Sequence, residues 1–174
     1  MFGHRRFVAV AAVAAVLVLA SDRPAPAAEV VIQPSVGQGK DTFVVKATPN
    51  RITGAHNFRL RVQAAPLDNK LKRALVQFPL GSIPAGSEVT SAVLELYASV
   101  NPANDSLVHG VHRITAPWHK GAVKWNNLPT FVAAPSATAV VGNGRGFKSF
   151  DVTADVQAAV NLCTADNGWL LKDE

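Results

Sequence analysis

From Asn57 to Gln63 the chain alternates strictly, with Phe58, Leu60 and Val62 pointing one way and Asn57, Arg59, Arg61 and Gln63 the other. Successive side chains of a strand lie on opposite faces, so this period of two predicts a strand with one buried face and two arginines on the wet one. Val89 to Ser99 repeats the pattern, with Ala92, Leu94, Leu96 and Ala98 set against Val93, Glu95 and Tyr97. It reads as a strand through the middle of a sheet. Further strands are predicted at 42–47, 73–78, 106–115, 122–126, 147–152 and 168–172. Pro79, Pro84 and Gly86 break the pattern between two of these and predict a loop from Pro79 to Ser87, because proline cannot donate to a ladder.

One segment has a different period. After Thr153, the residues Val156, Ala159 and Val160 recur at helical spacing and predict one short helix over 154–162, with Thr153 capping its start. Thr130 to Gly146, rich in Ala, Pro, Ser and Gly, reads as a long loop or a weakly ordered connection. Short strands with one helix and no fixed-period repeat predict an all-β fold, an antiparallel two-sheet sandwich. Phe58, Leu60, Val62, Leu94, Leu96 and Trp125 should be buried between the sheets, with the helix near Val156 closing one end.

The first residues stand apart. His4, Arg5 and Arg6 precede the apolar run Phe7 to Ala20, and the small residues Ala25-Pro26-Ala27 follow, the layout of a secretory signal cleaved near Glu29. The run is shorter than the roughly 20 apolar residues a spanning helix needs, so an uncleaved anchor is the minor alternative. No cysteine near its end could carry a lipid. Residues 1–28 are read as signal peptide, 29–39 as linker and 40–174 as a single domain. The expected location is outside the cell, secreted or on its surface, with no membrane attachment after cleavage. Cys163 is the only cysteine, which excludes an internal disulfide, and it reads as buried and inert.

Charge narrows the partner. The chain carries +5, of which the leader's three arginines and one aspartate take their share, leaving about +3. Lys40, Lys46, Arg51, Arg59, Arg61, Lys70, Lys72 and Arg73 crowd one third of the chain against Asp41 and Asp68. Export and the lack of an aromatic-interleaved basic groove exclude nucleic acid, and leave an anionic polysaccharide or wall polymer as partner. The alternative is a solvated charged face.

Catalytic patterns are weak. His109 and His112 fall on opposite faces of a strand, which is not zinc spacing. The acids are few, and Asp68, Asp105 and Asp155 sit at turn or cap positions rather than as a converging pair. A polysaccharide lyase could combine His56 or Tyr97 with Arg59 and Arg61, a minor reading. The chain is therefore read as no enzyme, needing no cofactor. Any metal is unknown; a structural calcium would draw on Asp41, Asp151 and Asp155, whose alternative roles are caps and turns.

Five stretches occur in an order that marks a family: "DTFV" from Asp41, "LKRALVQFPLGSIPAGSEVTSAVLELY" from Leu71, "VHRITAPWHKGAVKWNNLP" from Val111, "FDVTADVQAAVN" from Phe150 and "GWLLK" from Gly168. In these the chain resembles the DNRLRE-domain proteins, carbohydrate-binding module family 96, from about Gln38 onward. The resemblance implies a jelly-roll β-sandwich, secreted or on the cell surface, commonly attached to polysaccharide lyases or hydrolases and binding alginate-like ligands. Relatives commonly continue with one more strand, so the domain is expected to lack its last strand. No attached catalytic domain is expected.

Within the family the "PW" and "KWNNLP" positions recur as scaffold, and Val123 and Trp125 share one face of their predicted strand. Trp118 and Trp125 are thus expected in the core, with Asn126 and Asn127 serving a turn. The binding face is placed on Arg59 and Arg61, joined by Lys70 and Lys72 if the next strand pairs alongside, and by Arg73. The family keeps an arginine at Arg73, which gives that residue a structural reading too. Trp118 is the next candidate contact. The function expected is a secreted, non-catalytic module for an acidic, uronate-type polysaccharide; the alternative is a structural or adhesive surface domain without a sugar site.

Overall fold

The computed structural model describes residues 28–33, 38–54, 59–63, 70–99, 107–141 and 145–174. Three strands, β1 (Lys40–Val45), β2 (Lys72–Gln77) and the last strand, β7 (Trp169–Asp173), each bury three consecutive residues. Neighbouring residues on a strand face opposite ways, so consecutive burial means a sheet covered on both sides. These strands join β4 (Val108–Arg113) and β5 (Ala137–Val140) in a five-stranded antiparallel sheet of order β1-β2-β7-β4-β5. A second sheet pairs β3 (Val93–Ala98) with β6 (Gly146–Asp151), and its strands alternate between exposed and covered positions. The fold is therefore the expected all-β, two-sheet antiparallel sandwich with one short helix.

The two faces of the large sheet have separate cores. On one, Phe43, Ala74, Val76, Val111, Trp169 and Leu171 meet Leu94 and Phe150 of the small sheet, and Val156 and Val160 of α1 (Thr153–Val160). On the other, Val44, Leu75 and Leu170 lie under Ile114, Trp118 and Val123, with Trp125, Leu128 and Phe131 packed against them. The segment between β4 and β5 is thus a cover for the back of the sheet. β7 enters the middle of that sheet directly after the helix, paired with β2 on one side and β4 on the other.

Several sequence expectations need correction. Leu94 is buried between the sheets and Leu96 half-buried, but Trp125 lies half-buried on the far side of the large sheet. No strand forms at 122–126; Trp125–Asn127 is a 3₁₀ turn. The cause is Asn127, whose Oδ1 accepts the Lys124 N–H at 2.5 Å while its Nδ2 donates to the Ala122 carbonyl at 3.1 Å. The alternating segment from Asn57 also yields no strand among the described residues, only a bridge between Gln63 and Lys72. Asn57 and Phe58 lie outside the described residues, whereas Leu60 and Val62 do pack against the main core. Conversely, β5 forms within the stretch expected to be a loop.

The helix starts and stops differently from expectation. Thr153 is its first residue rather than its cap: its hydroxyl donates to Asp151 Oδ1 at 2.6 Å and accepts the Ala92 N–H at 2.9 Å. The same carboxylate oxygen takes the Thr153 N–H at 2.9 Å. At the other end, Leu162 N–H bonds to Ala159 O and Cys163 N–H to Ala158 O, the paired bonds of a Schellman stop, with Leu162 at φ 57°. Cys163 is consequently exposed, not buried.

Residues 1–27, nearly all of the expected leader, lie outside the described residues. Among the described residues no helix is long and apolar enough to cross a membrane.

Candidate functional site

The basic residues singled out in the sequence divide between the two sides of the large sheet. Lys72 and Arg73 are neighbours on β2, so they must face opposite ways. Lys72 shares its side with Ala74 and Val76, toward the small sheet; Arg73 shares the back with Leu75. Gln63 exchanges both backbone hydrogen bonds with Lys72, at 3.2 and 3.1 Å, and its side-chain carbonyl accepts from Lys72 Nζ at 2.5 Å.

This bridge brings the segment 59–63 to the β1–β2 side of the sheet. Arg59 and Arg61 are exposed, while Leu60 and Val62 are half-buried between them. The guanidinium of Arg61 lies 5.4 Å from the centre of the Phe43 ring, and Phe43 pairs with Ala74, two residues along from Lys72 on the same side. Arg61 and Lys72 are therefore brought together. Lys70 is exposed two residues before Lys72, and neither Arg59 nor Arg61 makes an ion pair with another described residue.

Arg73 is elsewhere and otherwise engaged. Its guanidinium stacks 4.8 Å from the Trp125 ring centre and 5.7 Å from that of Phe131, and burial pushes its pKa down. Trp118 is 7% exposed, with its indole N–H donating to the Asn167 carbonyl at 2.8 Å and Lys40 Nζ 5.7 Å above the ring. Little of the ring is left open for a sugar to rest on.

Two of the three acids considered for calcium, Asp151 and Asp155, have other occupations. Asp41 is exposed on β1, and Asp151 holds the start of the helix. Asp155 Oδ2 accepts from the Trp169 indole at 2.8 Å and the Ser136 hydroxyl at 2.6 Å, with Arg113 Nε 3.5 Å from its other oxygen. Among the described residues no three His, Cys, Asp or Glu side chains are grouped to hold a metal ion. The histidines separate as the alternation required: His109 lies 3.8 Å from Asp173, whereas His112, fully buried, sits between the Val132 carbonyl at Nδ1 and Glu174 Oε1 at Nε2. Glu174 reaches it by folding over Gly110, where any side chain would collide with it. His56 lies outside the described residues, and Tyr97 points away from the large sheet on which Arg61 rests.

The outer face of the small sheet carries what the sequence reading passed over. Direct cross-strand partners there are Tyr97 with Phe147, Glu95 with Ser149, and Val93 with Asp151. The outward phase of Val93, Glu95 and Tyr97 was visible in the alternation; their partners were not.

One cleft, lined by Leu80, Arg113, Asp155, Asp166 and Trp169 among others, holds about 10 Å³, space for a single water. Exposed cations on the segment 59–63 and exposed aromatic rings on an open sheet face suit a module that binds at its surface. The chain belongs to carbohydrate-binding module family 96, whose sequence profile matches residues 34–174. Among curated proteins none matches it. Its partner is accordingly a carbohydrate.

Proposed function

We propose that the protein is a secreted, non-catalytic module that binds an acidic, uronate-type polysaccharide along Arg59, Arg61 and Lys70, with Lys72 beside them. The observation that carries this reading is the exposure of Arg59 and Arg61 on either side of an anchored Leu60, without an acidic partner among the described residues. Where the segment is extended, residues two apart stand about 7 Å apart on one side, a spacing that suits successive carboxylates of a uronate chain. Guanidinium groups hold carboxylates in a bidentate fork. Each exposed pair contributes only about 0–1 kcal/mol, so affinity depends on several contacts along one polymer, and short oligosaccharides bind poorly. Arg73 is left out of this set, because it is half-buried against Trp125 and Phe131 on the opposite side of the large sheet.

Secretion rests on the leader read at 1–28, and the mature chain is expected to begin near Glu29. The test is retention of the mature protein on alginate and pectin at low and high salt, for the wild type and for Arg59→Ala/Arg61→Ala. Salt-sensitive retention that disappears in the double variant, with an unchanged melting temperature and no new chain ends in the glycan, is the expected result. Undiminished retention by the variant places the site elsewhere. A wild type retained by no glycan returns the structural, adhesive reading.

A further inference from the structure

Tyr97 and Phe147 are exposed to 58% and 66%, although both belong to well-formed strands. The core does not need them: Leu94, Leu96 and Phe150 already fill the inward phase of β3 and β6. Their ring centres are 5.2 Å apart and their planes meet at 76°, so one ring face is bordered by a second ring standing nearly upright. The next cross-strand pair supplies polar groups, the Ser149 hydroxyl donating to Glu95 Oε1 at 3.3 Å. Glu95 Oε2 has no partner among the described residues. A carboxylate, Asp151, ends the row opposite Val93.

We propose that this outer face of the β3–β6 sheet is a second sugar-binding surface, taking an uncharged pyranose chain with Tyr97 and Phe147 as the stacking corner and Glu95 and Ser149 as hydroxyl partners. A pyranose has an apolar C–H face and a rim of hydroxyls, and this row offers an aromatic corner next to acceptors in the same order. Its charge selects against uronates. Glu95 and Asp151 face outward with no cation in their phase within either strand, and the exposed Arg145 stands before β6, beyond Phe147, so along the Glu95–Asp151 row a carboxylated chain would be repelled where a neutral one donates hydrogen bonds. A protein partner is a poorer fit: a stable interface needs roughly 800 Å² from each side with few charges at its centre, and two rings beside two acids do not supply that. The inference rests on family membership and not on the basic site, which belongs to the other sheet.

The experiment is affinity electrophoresis of the mature protein through gels containing glucomannan or mixed-linkage β-glucan, with alginate gels in parallel. The wild type should be retarded by a neutral glycan independently of salt. Tyr97→Ala and Phe147→Ala should each weaken that retardation roughly tenfold, the size of one good aromatic contact, and the double variant should remove it. Because both rings are exposed, melting temperatures should stay with the wild type, which separates lost binding from lost folding. Alginate retardation should be untouched by these variants and removed by Arg59→Ala/Arg61→Ala. A wild type indifferent to both neutral glycans, a Tyr97→Ala/Phe147→Ala variant that behaves as the wild type, or alginate binding lost along with neutral binding overturns the second surface. Concentration-dependent dimerisation that the same variants abolish would also overturn it, by assigning the face to a second copy of the chain.

Discussion

Replacing Arg73 by alanine should weaken the fold and spare the polysaccharide. Its guanidinium covers Trp125 at 4.8 Å and reaches Phe131 at 5.7 Å, inside the range over which a cation is drawn to a ring face. Such contacts are worth about 0.5–1 kcal/mol when exposed and about 2 when desolvated. Arg73 is half-buried, and that burial lowers its pKa. One close and one marginal contact, with the packing of the aliphatic stem, therefore come to about 1.5–2.5 kcal/mol. For a domain of this size each kcal/mol moves the melting temperature by about 3–4 °C, so Arg73→Ala should melt about 5–10 °C lower. Arg73→Lys keeps the charge without the planar stack and should recover only part of the loss. Differential scanning calorimetry gives the shift, and retention on alginate the second readout. A melting temperature within about 1 °C of the wild type refutes the stacking argument. If retention were lost at the same time, Arg73 would belong to the ligand.

The helix stop supplies an opposite case. Leu162 holds the left-handed position of the Schellman turn at φ 57° and is 82% exposed, so Leu162→Gly should relieve backbone strain at little cost in burial and raise stability by up to about 1 kcal/mol; a lower denaturation midpoint would contradict this. Acid should destabilise the domain. Burial, opposed by Asp173, lowers the pKa of His109; for Glu174 burial acts upward but hydrogen bonds and charge from Lys172 and His112 outweigh it and lower the pKa. Groups depressed in the folded state contribute stability above their unfolded pKa and lose it as pH falls through the folded one. The decline should begin below about pH 6.5 with His109 and continue through the carboxylate range with Glu174. Asp166, raised by burial, has the opposite sign and softens the lower end. Glu174→Gln should melt lower at pH 7 and flatten the carboxylate part, whereas a wild-type melting temperature constant from neutral to acid rules the account out.

How far the sequence led depended on what decided each element. Strands β3 and β6 were legible because one face is wet and the alternation survives. The apolar runs of β1, β2 and β7 identified strands, but their meaning, burial on both faces, required knowing that residues 114–131 fold back over the sheet. At 122–126 a period of two lost to turn chemistry, since the Asn127 side chain captures the backbone before a ladder can. β5 was hidden because Ala137, Thr138, Ala139 and Val140 look like a loop by composition and become a strand by pairing with β4. For the proposed site, the outward phase of Arg59 and Arg61 was legible, and both are exposed. The same alternation puts Lys72 and Arg73, adjacent on β2, on opposite faces. Tyr97 and Phe147 were each in the outward phase, but no local signal says that two strands about 50 residues apart are neighbours in register.

The architecture restricts where a polymer can make contact. The large sheet is covered in front by the small sheet and α1, and behind by the segment bearing Trp118, Trp125 and Phe131, except along its edge strand β5, where Thr138 and Val140 stay exposed. A chain of sugars can therefore reach only edges, connecting segments and the open face of the small sheet. A connecting segment carries Arg59 and Arg61; the open face carries Tyr97 and Phe147 beside two acids. Contacts of the two kinds respond oppositely to salt, because exposed charge pairing is screened as ionic strength rises while apolar stacking is not. If both surfaces bind, a matrix that mixes acidic and neutral glycans would hold the protein through its arginines at low salt and through its aromatic pair at high salt. Simultaneous engagement would add an effective-concentration gain that neither polymer provides alone. Retention on such a mixed gel should then exceed that on either component at equal total sugar, and should fall to the single-component level when either pair of residues is replaced.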